Sequence, residues 1–152
     1  MYHISYCLVL VEENGQLPSK AHSTDAGFDV YATSDFSVSP GEIVKHPLNI
    51  RMQLPHGTYA EITSKSGNGS KGLLVYAGII DEGYRGVVHV IMTNLNRYNP
   101  DNLKTIDFKK GQKIAQMIVH PYSLNYQISS SSTLDSNSPR GESGFGSTET
   151  IV

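Results

Sequence analysis

No window of a dozen residues in this 152-residue chain sustains a helical period; its apolar runs have the length and composition of β-strands. Ile4 to Val11 is rich in Ile, Tyr, Leu and Val and stops at Glu12-Glu13-Asn14-Gly15, a turn signal. Phe28 to Ala32, Glu42 to Leu54 (one or two strands, with Pro47 at an edge or bulge) and Thr58 to Thr63 follow. Leu73 to Ile80, Val87 to Leu95 and Gln112 to Val119 complete the series. Turns fall at Ser39-Pro40-Gly41 and Pro55-His56-Gly57. Many short strands between Gly and Pro turns predict an all-β sandwich, jelly roll or barrel. Lys20 to Gly27 reads as a loop, and Asn94 to Lys110 as a polar surface excursion. Ser66 to Lys71 offers one helical turn, weakened by Gly67 and Gly69.

In Val87 to Leu95, one face carries Val87, Ile91 and Leu95 and the other Val88, Val90 and Met92. A strand apolar on both faces is central in its sheet or covered by another copy, so a symmetric oligomer is one reading. The predicted organisation is one β domain over residues 1–123. Residues 124–152 form a polar linker with the run Ser129-Ser130-Ser131-Ser132, then a glycine-rich C-terminal arm.

The formal net charge of −2 supplies no broad basic field, so direct nucleic-acid binding is not expected; a few local cations still suffice for a small polyanion. A single cysteine, Cys7, excludes an intramolecular disulfide framework and a cysteine zinc cluster. His3, His22, His46, His56, His89 and His120 have no metal-ligand spacing. With no charged-then-apolar leader and no apolar run approaching about 18 residues, no membrane span is expected and the chain reads as cytoplasmic.

Five stretches concentrate chemistry. Gly78-Ile79-Ile80-Asp81-Glu82-Gly83-Tyr84-Arg85-Gly86 sets an acid, an aromatic and a base in a turn between two apolar runs, where strands hold side chains firmly. Its three glycines suit positive φ or close backbone approach; an ordinary hairpin with polar surface residues would look the same. Arg140-Gly141-Glu142-Ser143-Gly144-Phe145-Gly146-Ser147-Thr148 has the glycines and hydroxyls of an anion nest, plus a flat apolar ring for a planar ligand. Read blandly, it is a Gly/Ser tail. Thr63-Ser64-Lys65-Ser66-Gly67-Asn68-Gly69 leaves a strand with a cation and hydroxyls suited to phosphate, though such loops are common. Gln116 shares an alternating face with Ile114 and Ile118, where a buried amide needs partners; a core hydrogen bond or a ligand contact would serve. Asp29, between Phe28 and Val30, is an exposed acid or a carboxylate for a hard cation on phosphates.

In this order the stretches resemble the five motifs of the trimeric dUTP pyrophosphatases (dUTPases). Asp25-Ala26-Gly27-Phe28-Asp29 resembles the first and Lys65-Ser66-Gly67 the second. Gly78 to Gly86 is similar to the third, Gly111-Gln112-Lys113-Ile114-Ala115-Gln116 to the fourth, and Arg140 to Thr148 to the fifth. The likeness runs from about residue 20 to residue 148. It implies a jelly-roll-like all-β subunit in a homotrimer whose three active sites are each built from all three chains. The implied reaction is dUTP plus water to dUMP and pyrophosphate, with attack at the α-phosphorus and Mg²⁺ on the triphosphate. That reaction limits uracil incorporation into DNA and supplies dUMP for thymidylate synthesis.

Carried over residue by residue, Asp81 would accept the proton of the attacking water. Tyr84 would stack under the deoxyribose and exclude a 2′-hydroxyl. The backbone of Gly78, Ile80 and out to His89 would bind uracil, with the His89 imidazole itself dispensable. Lys65, Ser66, Gly67 and Gln116 would hold the phosphates, and Asp29 would orient Mg²⁺ through its water shell. From a neighbouring chain, Phe145 would cover uracil while Arg140, Gly146, Ser147 and Thr148 close over the phosphates. Two departures stand out: Lys65 occupies a position that is usually arginine, and Asn94 to Lys110 is longer than in many members. For a viral source the implied compartment would be the host cytosol or nucleus. Rival readings are a dCTP deaminase, which would lack the Phe-bearing tail, a regulatory protein that has lost catalysis, and a lectin or capsid-like sandwich.

Overall fold

The structure is a computed structural model that describes residues 6–98, 101 and 103–134, with only the backbone at 97 and 98. The fold is all-β. Its strands are β1 (Leu8–Val11), β2 (Phe28–Tyr31), β3 (Phe36–Val38), β4 (Ile43–Pro47), β5 (Ile50–Gln53) and β6 (Thr58–Thr63). These are followed by β7 (Leu73–Tyr76), β8 (Ile79–Ile80), β9 (His89–Asn94), β10 (Ile106–Phe108) and β11 (Lys113–Pro121). A short helix, α1 (Ser66–Gly69), and a 3₁₀ turn at Leu95–Tyr98 interrupt them.

Among the described residues the strands pair antiparallel in four sheets, β2-β11-β6-β8, β4-β9-β7, β1-β5 and β3-β10. Their inner faces meet in one core. Val30, Ile62 and Ile114 come from the largest sheet, Leu73, Val90 and Met92 from the second, and Ile50, Met52, Val38 and Phe108 from the two ribbons. Alternation explains the assignment: Val90, Met92 and Asn94 of β9 point into this core while His89, Ile91 and Thr93 face the other way, half-buried. β9 lies between β4 and β7 and is thus the central strand of its sheet, with its Ile91 face half-buried in the single chain.

Several expectations shift. The Asn94–Lys110 excursion is not wholly loop, because Ile106–Phe108 forms β10 on β3 and buries Phe108. Three residues are too few to display a period. The run Leu73 to Ile80 breaks at Ala77, whose φ is +52°, into β7 on β9 and β8 on β6. β11 carries a register shift between Lys113 and Ala115, so Ile114, Ala115 and Met117 are buried and Gln116 does not share their side. Such a bulge resets the alternation that sequence pattern assumes. Asp29 is buried on β2, not exposed.

Candidate active site

The turn after β8 is held rigidly from several directions. Ile62 N–H donates to the Gly78 carbonyl (2.8 Å), and a Cβ on Gly78 would stand 2.0 Å from the Ile62 oxygen. Tyr84 N–H closes the turn on the Asp81 carbonyl (3.0 Å), and Arg85 Nη1 donates to the carbonyls of Glu82 (2.7 Å) and Tyr84 (3.0 Å). Glu82 accepts from Gly57 N–H and the Tyr122 hydroxyl and bonds His56 Nδ1, each at 2.9 Å. The His56 bond first, then the Gly57 amide and Tyr122, pull the Glu82 carboxyl down to about 2. Glu82 thus ties the turn to the start of β6 and the end of β11. Nothing in the sequence marks it, because its partners are distant in the chain.

Asp81, by contrast, is exposed at the turn, between two hollows. A slot of about 210 Å³ lies between β8 and β9, lined by Ile80, Val87, Val88 and His89, with Asp81 and Tyr84 among its walls. A hollow of about 430 Å³ lies beside Tyr59, Glu82, Gly83 and Tyr122. Tyr84 donates its hydroxyl to the Val87 carbonyl (3.1 Å) and lies over Gly86, where a Cβ would come within 2.3 Å of that hydroxyl. Gly78 and Gly86 are therefore glycines of close approach, while a Cβ on Gly83 would meet nothing. His89 Nδ1 bonds the Val87 carbonyl (2.9 Å), which occupies one edge of the imidazole.

The phosphate-type loop sits elsewhere. β6 runs into Ser64, Lys65 and α1, where Ser66 and Gly67 are exposed. Gln116 Nε2 donates to the Ser64 carbonyl (3.0 Å), Asn68 Nδ2 to the Ile114 carbonyl (2.9 Å), and Val75 N–H to Ser64 Oγ (2.9 Å). The loop is thereby fixed to β11 and β7. Beneath it, Asp29 bonds the Lys65 ammonium through one oxygen and the Lys113 ammonium through the other, the latter at 2.6 Å. Burial alone would raise the Asp29 pKa, but hydrogen bonds from Lys113 and Lys65, together with their charges, hold it below the usual carboxylate value. Lys113 is raised in return by Asp29.

An ionised carboxylate has about four acceptor positions. With two taken by lysines, Asp29 still fits acceptance from the water shell of a phosphate-bound Mg²⁺. Among the described residues no group of three His, Cys, Asp or Glu could ligate a metal directly.

The two groups occupy opposite ends of β6. Asp81 continues β8 past the Ala60–Ile80 pair, level with Tyr59, whereas Gln116 pairs with Thr63. That is about 13 Å along the strand. Arg140, Phe145, Gly146, Ser147 and Thr148 lie outside the described residues.

The dUTPase family model matches residues 13–149. The chain belongs to the dUTPase family. It is 37% identical over 142 residues to a deoxyuridine 5'-triphosphate nucleotidohydrolase of Clostridium tetani, spanning 91% of this chain and 92% of that one. It is 36% identical over 143 residues to the Pol polyprotein of equine infectious anemia virus, spanning 93% of this chain and 12% of the polyprotein. A solved dUTPase of Staphylococcus bacteriophage 80alpha with dUpNHpp superposes with a TM-score of 0.86 at 26% identity, covering 97% of this chain and all of that one. The all-β, jelly-roll-like fold is thus that of dUTPases. Among the described residues no helix is long and apolar enough to cross a membrane.

Proposed function

We propose that this chain hydrolyses dUTP to dUMP and pyrophosphate as a homotrimer with shared active sites, working in the cytoplasm on free nucleotide. The observation that carries this reading is an exposed carboxylate, Asp81, at a narrow slot walled by strand residues and closed on one side by Tyr84. A slot of that kind suits a pyrimidine bound edge-on by the backbone of Gly78, Ile80 and His89. Backbone groups left unpaired would reject cytosine more strongly than a methyl clash rejects thymine. Tyr84, placed over Gly86 and held by its bond to Val87, would stand in the way of a 2′-hydroxyl.

Asp81 accepts the proton of the water that attacks the α-phosphorus. A carboxylate is a modest base, so positioning and charge neutralisation supply most of the rate. Lys65, Ser66, Gly67 and Gln116 align the phosphates. Asp29 would accept from the water shell of a magnesium ion on the triphosphate, which would supply further neutralisation when bound.

The distance between the Asp81 slot and the Lys65 loop along β6 supports assembly of each site from more than one chain. Exposed apolar residues on several strands, among them Leu8, Leu10, Ile43 and Leu74, favour further copies as partners. In this reading residues 1–123 are the β domain. Residues 124–152 are an arm that brings Arg140, Phe145, Gly146, Ser147 and Thr148 over a neighbour's site and excludes water on closing.

The test is pyrophosphate release from dUTP, UTP and dCTP, with and without EDTA. Turnover of dUTP alone, suppressed by EDTA, is expected. Ammonia from dCTP without pyrophosphate from dUTP would overturn the assignment.

A further inference from the structure

Asp29 is 7% exposed, yet it carries two cations, one on each oxygen. A buried carboxylate left without a counter-charge is strongly unfavourable, so one lysine is needed simply to keep Asp29 in place. On the carboxylate itself the second is surplus: Asp29 holds two ammonium groups, and Asp25 adds to Lys113 only its charge, less than Asp29 does. The two lysines differ in anchorage. Lys113 springs from β11, in register with Tyr31 of β2, two residues from Asp29. Lys65 springs from the loop entering α1, beside the exposed Ser66 and Gly67. Its ammonium is a point charge on a flexible stem and can be redirected by torsions alone.

We propose that Lys113 is a positioning residue of the phosphate subsite: it holds Asp29 compensated, which frees Lys65 to transfer from Asp29 to a phosphate oxygen. The inference rests on the dUTPase reading and deepens it. Before binding, Asp29 keeps Lys65 oriented at the loop and spares it the cost of facing unpaired cations. When a triphosphate arrives, Lys65 turns to it, and the Asp29–Lys113 pair remains neutral beneath. Without Lys113, substrate phosphate and Asp29 would compete for a single ammonium.

The experiment measures calorimetric binding of dUpNHpp in EDTA, which removes any contribution of metal. It compares the full chain with Lys113→Met, Lys113→Arg, Asp29→Asn and the Asp29→Asn/Lys113→Met pair. Lys113→Met should weaken binding about tenfold or more, and raise KM for dUTP more than it lowers kcat, because Asp29 then retains Lys65. Lys113→Arg should bind nearly as the parent does. Neutralising Asp29 as well should recover most of the loss, because nothing then detains Lys65.

A double variant no better than Lys113→Met would mean that Lys113 meets the phosphate directly, and the proposal falls. Unchanged binding in Lys113→Met overturns it too. Should Lys113→Met fail to fold, Asp29→Asn against Asp29→Asn/Lys113→Met is decisive: with Asp29 neutral, Lys113 should no longer matter, and a loss there refutes the idea. No binding by the parent chain would instead sink the dUTPase reading itself.

Discussion

Gly78 and Ile62 meet so closely that a Cβ on Gly78 would stand 2.0 Å from the Ile62 carbonyl oxygen. The contact lies where β7 gives way to β8, so it fixes both the pairing of β8 with β6 and the wall of the slot. Gly78→Ala must push the strands apart. A loss of about 1–3 kcal/mol in urea denaturation is expected, with weaker dUpNHpp binding. Parent-like stability would show that the hairpin yields freely.

The Asp81 carboxylate takes no part in the bonds that brace its turn, which run through the Asp81 carbonyl, Glu82, Tyr84 and Arg85. Its removal should therefore leave the scaffold and ligand binding intact. For Asp81→Asn, kcat should fall by about 10²–10⁴-fold while dUpNHpp still binds. Near-normal kcat would dismiss Asp81 as the general base.

Glu82 ties the turn down only while ionised. Its carboxyl lies near 2 in the fold against an ordinary 4.5, so its contribution is complete above about 4.5 and fades as pH falls towards 2. The advantage of the parent over Glu82→Gln in thermal melting should shrink between about pH 5 and about pH 3. A constant difference would mean that charge is not what Glu82 contributes.

His46 is buried on β4, stacked on Phe36, and its Nε2 accepts from Thr33 N–H at 3.0 Å. Desolvation, then the nearby charge of His89, lower its pKa from 6.5, so the folded chain binds this proton less readily than the unfolded one. The stability that neutral His46 provides is whole above about 6.5 and is lost as pH falls below it. Denaturation midpoints should drop from about pH 7.5 to about pH 5.5, and less steeply in His46→Gln. Equal slopes would point to other groups.

Much of the fold was legible because half-buried strands display their period: β2, β6 and β9 fall within a residue or two of where the apolar runs place them. β10 was hidden by its shortness, and the true facing of Gln116 by a bulge that no composition reveals. The candidate site was legible as motifs, and the chain's membership of the dUTPase family bears out that likeness. What could not be read was the wiring among them. The Glu82 carboxylate draws its three partners from His56, Gly57 and Tyr122, and Lys113 of β11 joins Lys65 of a loop through a carboxylate on β2. Such contacts arise from strand order rather than local sequence.

The spacing of Asp81 and Lys65 along β6 bears on how damage is inherited. Where one chain supplies the base and its neighbour the phosphate loop, a chain broken in one half still lends a sound other half. Asp81→Asn chains and Lys65→Met chains, each inactive alone, should complement when refolded together, recovering about a quarter of the sites under random assembly into threes. Two null alleles of different kinds would then make a partly competent cell, and two of the same kind would not.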